Sequence, residues 1–230
     1  MRALVVYESM FGNTERIAYA IARGLATEMT TETVEVSHAP ADPTRDIDLL
    51  VIGGPTHGLG LSRPATRAKA AVHAGGVITS DGIGLREWLS VITPRLGSPR
   101  VAIFDTKFGW PRLPGSAARR ARARLRRLGF AGPIPIATFR VRATIGPLLD
   151  GEIDRARRWG HWLGGQCRQL SPGAERFSEN GKSATPRRWT CMTAATTPSR
   201  PRPPRPTRSL PNRPAAPTPT RSPGRRWTTR

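Results

Sequence analysis

Three short stretches concentrate residues able to hold or polarise a ligand. The first is Glu8-Ser9-Met10-Phe11-Gly12-Asn13-Thr14, two hydroxyls and an amide around a glycine. It lies directly between an apolar run ending at Tyr7 and the start of a helical pattern. That position gathers Ser9, Thr14 and several backbone N–H groups at the positive end of a helix dipole. Such a cradle holds a phosphate without a cation, and the loop has no Lys or Arg; Arg16 falls inside the helix beyond. A plainer alternative stays open at this stage, that Asn13 or Thr14 simply caps the helix. Neither a GxGxxG fingerprint nor a Walker A spacing occurs here.

The second stretch is Gly53-Gly54-Pro55-Thr56-His57-Gly58-Leu59-Gly60. Its glycines let the backbone approach a planar ligand and adopt positive φ. His57 is either a solvent-exposed loop histidine or a group facing that ligand, and whether it moves protons is open. The third stretch runs from Asp105-Thr106-Lys107-Phe108 through Gly109-Trp110 to Ser116. Phe108 and Trp110 either stack on a ring or pack the loop onto the structure below. Trp110 is expected to be the stacking residue. Asp105 is expected to hold the loop through backbone N–H groups rather than to react.

The elements between these stretches alternate. Arg2–Tyr7 reads as a strand buried on both faces, and Asn13–Thr27 follows at helical period. Strands are expected at 31–36, 47–53, 100–105 and 133–139. Pro133 and Pro135 demote the last of these to a sheet edge. Helices are expected at 64–73, around Leu85–Ile92, from the Ser116 cap through Leu128, and at 152–163. Alternation of this kind gives an α/β fold, a doubly wound parallel sheet with right-handed crossovers. Ligands of such sheets sit beyond the carboxyl ends of the strands, where all three stretches fall.

The pattern Val5-Val6-Tyr7-x-Ser9-x-x-Gly12-x-Thr14-x-x-x-Ala18-x-x-Ile21 resembles the flavodoxin signature at each constrained position. Gly53-Gly54-Pro55-Thr56-His57, Gly84-Leu85-Arg86-Glu87-Trp88-Leu89 and Leu113-Pro114-Gly115-Ser116-Ala117 extend the similarity towards short flavodoxin-domain proteins of high-GC actinobacteria. The resemblance implies a three-layer αβα sandwich with a five-stranded parallel sheet of order 2-1-3-4-5. It also implies non-covalent FMN. Ser9, Met10, Phe11, Gly12, Asn13 and Thr14 would wrap the phosphate; Pro55, Thr56, His57 and Gly58 would lie beside the isoalloxazine; Asp105, Thr106 and Trp110 would complete the site. No catalytic residue or metal ligand is assigned. Between Gly132 and Pro147 the chain is more basic and less strand-like than the resemblance leads one to expect.

The 230 residues carry a net charge of +21, which by itself suggests a polyanionic partner. Its location weakens that inference. The last 60 residues hold 13 Lys and Arg against 2 Asp and Glu, so about half the excess lies in a Pro/Arg-rich segment too polar to fold. The expected organisation is a flavodoxin-like domain at 1–165 and a disordered basic tail at 166–230, with the last helix broken at Gly164-Gly165. The tail reads as a polyanion-binding arm, as an extension without specific role, or as GC-rich sequence out of frame, which fits its composition best. Two cysteines, Cys167 and Cys191, form no framework, and no apolar run suits a signal peptide or a membrane span. A cytoplasmic location is expected.

The functional expectation is electron transfer or an FMN-dependent reductase, with a redox protein or a small electron donor or acceptor as partner. Two alternatives are a flavodoxin-fold protein that has lost its cofactor and a nucleic-acid or polyanion binder; no recognition helix supports the latter. The arginine-dense helix 116–128 is either a solvated face or a docking surface for an acidic partner or polyanion. The net positive charge of the first 170 residues, unlike the acidic surface of familiar flavodoxins, should favour the reduced flavin anion and raise the potential.

Overall fold

Branched apolar runs at the centre and alternating, β-branched segments at the two edges become the strands of one sheet. They are β1 (Arg2–Tyr7), β2 (Thr30–Glu35), β3 (Leu49–Pro55), β4 (Arg100–Phe108) and β5 (Ile136–Val141). All neighbours pair in parallel, in the order β2-β1-β3-β4-β5. The computed structural model describes residues 1–94, 98–109 and 114–169. The helices are α1 (Asn13–Leu25), α2 (Pro64–His73), α3 (Leu85–Val91), α4 (Ala117–Arg127) and α5 (Glu152–Gln169).

Alternate residues of the central strands feed two cores, as the two-residue period of a strand requires. Val5, Tyr7, Leu49, Val51 and Phe104 pack with Ile17, Ile21 and Leu25 of α1 and Ala156, Trp159 and Leu163 of α5. Leu4, Val6, Leu50, Ile52 and Ile103 pack with Leu85, Trp88 and Leu89 of α3 and Ala118, Ala121 and Leu125 of α4. The result is the expected doubly wound αβα sandwich.

Backbone contact between α1 and α5 explains two of their glycines. A Cβ on Gly24 would stand 2.0 Å from the Arg157 carbonyl oxygen, and one on Gly160 would stand 2.1 Å from that of Ile21. This packing corrects one expectation. The final helix does not break at Gly164-Gly165 but continues to Gln169. Gly164 lies against the Glu28 side chain, and Leu163 and Cys167 are buried on the same helix, so tertiary contact outweighs the helix-weakening tendency of two glycines. The start of β5 also moves, to Ile136, just after Pro133 and Pro135; it is the edge strand the prolines foretold. Ser116 caps α4 as expected, its hydroxyl accepting from Arg119 N at 3.1 Å. Residues 166–169, expected to open the disordered tail, belong to α5, and what the sequence led one to expect of the tail beyond them falls outside the described residues.

Candidate functional site

The strand order reverses between β1 and β3, and the first two loops leave the sheet there. In the first loop Gly12 occupies the N-cap of α1 at φ 74°, and no side chain caps the helix. The capping alternative therefore fails. Asn13 Nδ2 instead donates to Ile145 O at 2.7 Å, and the Thr14 hydroxyl pairs with that of Thr106 at 2.7 Å. The first-turn amides, which no helix can satisfy internally, are left for a ligand. Ser9 is held tightly: its amide donates to Ser80 Oγ (2.9 Å), and Ser80 N donates to its carbonyl (2.8 Å). Yet Ser9 Oγ is buried without a hydrogen-bond partner. A buried hydroxyl in that state costs about 1–3 kcal/mol, which an acceptor entering the loop would relieve.

In the second loop His57 and Gly60 exchange backbone hydrogen bonds of 2.9 and 3.1 Å. The two residues between them, Gly58 (φ 50°) and Leu59 (φ 73°), have the paired positive φ of a type I′ turn. Leu59 is an unusual tenant of that conformation, and it is braced by Gly115, where a Cβ would come within 2.5 Å of Leu59 O. His57 is half-buried rather than solvent-exposed; burial, and then the charge of Arg67, hold its pKa below the usual histidine value.

Asp105 underlies both the second and third loops. It is fully buried and accepts from the hydroxyls of Thr56 (3.0 Å), Ser116 (2.6 Å) and Thr138 (2.7 Å) and from Ala118 N (3.2 Å). Hydroxyls, more than the expected backbone amides, anchor it. Thr56 Oγ1 also accepts from Ala117 N at 3.0 Å, so its side chain is fully committed to the scaffold.

The loops line an open cleft. Nine expected site residues line it: Ser9, Met10, Phe11, Asn13 and Thr14 from the first loop, Pro55, Thr56 and His57 from the second, and Thr106 from the third. Gly58 faces neighbouring hollows on the far side of His57, and Asp105 supports the cleft from below. Trp110 lies outside the described residues. Phe108, one of the two aromatics the sequence offered for stacking, lines the cleft, together with Lys107, Val141 and Thr144, which the sequence had not singled out as contacts. Lys107 Nζ donates to Gly115 O at 2.8 Å, and burial, then Arg140, lower its pKa.

Sequence reasoning also missed a buried network behind the cleft. Glu8 accepts from Ser62 Oγ (2.5 Å) and Leu85 N (2.9 Å), while Arg67 bonds Ser62 Oγ (3.2 Å) and Glu87 (3.0 Å). Burial pushes the Glu8 pKa up, against the opposing pull of those donors and Arg67. The only signal was a carboxylate immediately after a buried strand. Among the described residues no group of three His, Cys, Asp or Glu side chains converges on a metal position, and no helix is long and apolar enough to cross a membrane.

Residues 5–71 match the family model for flavodoxin. That segment holds the first loop, the second loop and Glu8. No curated protein matches the chain. Among solved structures, a flavodoxin of Streptococcus pneumonia TIGR4 aligns with a TM-score of 0.51 and 17% identity, covering 72% of this chain and 99% of that one. At that identity the likeness is one of fold. A flavodoxin from the domain Archaea (TM-score 0.49, 18% identity, 73% and 99% covered) and oxidised Flavodoxin 1 from Bacillus cereus (0.49, 18%, 70% and 95%) also match.

Proposed function

We propose that the chain binds FMN in this cleft and serves in electron transfer or as an FMN-dependent reductase. The observation that carries the proposal is the buried, unpartnered Ser9 hydroxyl beside the uncapped start of α1, inside a cleft lined by all three loops. Ser9 and the amides of residues 10–14 would hold the phosphate by neutral donors and the helix dipole. Pro55, Thr56, His57 and Gly58 would flank the ring, with Phe108 of the lining and Trp110 of the third loop as the aromatics to stack on it. FMN, when bound, supplies one- or two-electron chemistry. His57, kept neutral by burial, can exchange a hydrogen bond with the ring edge without adding charge there. Lys107 in the lining favours a negatively charged flavin, so the potential should be less negative than that of an acidic flavodoxin.

The deciding experiment is the visible absorbance of the purified protein, before and after FMN is added and the excess removed. Flavin bands that stay with the protein support the proposal. A colourless protein that does not retain FMN refutes it and favours a cofactor-free member of this fold.

A further inference from the structure

A groove of about 1030 Å³ lies beside the cleft and shares His57 with it. Five arginines converge there from separate elements: Arg63 ahead of α2, Arg86 on α3, and Arg120, Arg124 and Arg127 on α4. No carboxylate lines it, and none of the five is in an ion pair among the described residues. Two are fixed in place. Arg86 donates to Ser62 O (2.8 Å) and Leu61 O (2.9 Å), and Arg124 donates to Leu89 O (3.2 Å). The stem of Arg120 lies over Gly60, whose added Cβ would stand 3.3 Å from its Cγ.

Like charges held in one concavity repel, and an entering anion relieves that repulsion. Guanidinium forks pre-set by backbone carbonyls match phosphate oxygens two at a time. We propose that this groove binds the diphosphate group of a small ligand lying alongside the flavin cleft. Convergence from three elements into a hollow suits a compact, highly charged group better than the flat face of an acidic protein. Leu59, exposed at the rim, offers apolar surface to whatever the diphosphate carries. The binding claim stands without the flavin; only its adjacency to chemistry rests on the FMN proposal.

The test is calorimetric titration of the full-length protein with inorganic pyrophosphate and with ADP near physiological salt. Flavin content is recorded by absorbance on the same samples, so failure of the FMN proposal is read separately. The expected result is saturable 1:1 binding that weakens at least tenfold in Arg120→Gln/Arg124→Gln/Arg127→Gln. A charge-matched control on the same helix, Arg119→Gln/Arg122→Gln/Arg126→Gln, should lose less than threefold. Tighter binding of ADP would name a nucleotide as the source, and equal binding a free diphosphate; either supports the site. Equal loss in both triples would reveal a diffuse field and overturn the proposal. So would absence of saturable binding, or displacement of pyrophosphate by oligoglutamate at lower concentration. Should the groove triple fail to fold, the pair Arg63→Gln/Arg127→Gln, whose guanidinium groups make no hydrogen bond among the described residues, carries the same expectation.

Discussion

The molecule offers anions two neighbouring environments built on opposite principles. The β1–α1 loop has no cation; it presents amides, the start of a helix and one buried hydroxyl, all fixed by backbone geometry. The groove beside the cleft relies on side-chain charge instead, five arginines reaching in from three elements around a floor of small and apolar residues. A neutral cradle selects by shape and distance, because its donors cannot move. A cationic groove selects by charge density, and its long stems adapt. If both proposals hold, two sites of this kind, each lined by His57, would hold two phosphate-bearing molecules without competing for one set of donors.

Asp105 ties both regions to the sheet, so its loss should erase the contrast most completely. Asp105→Ala strands three hydroxyls and the Ala118 amide, and the expected destabilisation is about 3–5 kcal/mol. Urea unfolding measures it. Because Thr56 belongs to the second loop and Ser116 to the start of α4, FMN retention and pyrophosphate binding should fall together. An Asp105→Ala protein unfolding at the wild-type urea concentration would show that these bonds do not anchor the site.

The unequal legibility of the two regions has a physical origin. The first loop is local: strand, hydroxyls, glycine and helix start occur within seven residues, so spacing alone exposed the cradle. The edge position of β5 was likewise legible, through the two prolines ahead of it, whereas the strand order came from the resemblance to flavodoxins and not from the apolar runs. The groove is not local. It exists because Arg63, Arg86 and Arg120 meet in space, and a linear reading sees only a basic helix, either a solvated face or a docking surface, without the arginines of the other two elements. Thr144 was hidden for the same reason, and so was the Glu8–Ser62–Arg67 network, whose members are separated by up to 59 positions. Helical spacing marked α5 correctly up to Leu163, but its last turn depends on contact with α1, and composition alone suggested a break.

Ser9→Ala separates the regions. Removing an unpartnered buried hydroxyl should leave thermal stability unchanged or slightly raised, since no hydrogen bond is lost in the ligand-free fold. Bonds to a charged acceptor are worth about 1.5–3 kcal/mol, so FMN affinity should drop about tenfold or more. Pyrophosphate affinity should not change. A Ser9→Ala protein that melts well below wild type would mean that the hydroxyl already has work in the empty loop.

Salt sharpens the comparison with a smaller effect. Raising ionic strength from about 0.05 to about 0.5 M shortens the screening length severalfold. Pyrophosphate binding in the exposed arginine groove should weaken about tenfold. FMN in the neutral cradle should weaken by no more than about threefold, because helix-end dipoles and buried hydroxyls act at contact distance. Equal salt sensitivity, measured by parallel titrations, would mean that the arginines also govern FMN binding.

The smallest expected effect concerns Glu8, which lies under the wall between the two regions. Its carboxyl binds a proton more tightly in the fold than in the unfolded chain, because burial opposes the charged form. Between its usual pKa near 4.5 and the raised value, the native state therefore holds more protons than the unfolded state. Stability falls as pH rises through that window. Glu8→Gln cannot ionise and keeps an acceptor for Ser62 or Leu85. Its melting temperature should gain on that of wild type as pH rises above about 4.5. A gap that moves the other way would place Glu8 under the control of Arg67, with its ionised form stabilised by that guanidinium. The buried network would then be a charge pair holding α2 against β1, rather than a carboxyl that the fold prefers neutral.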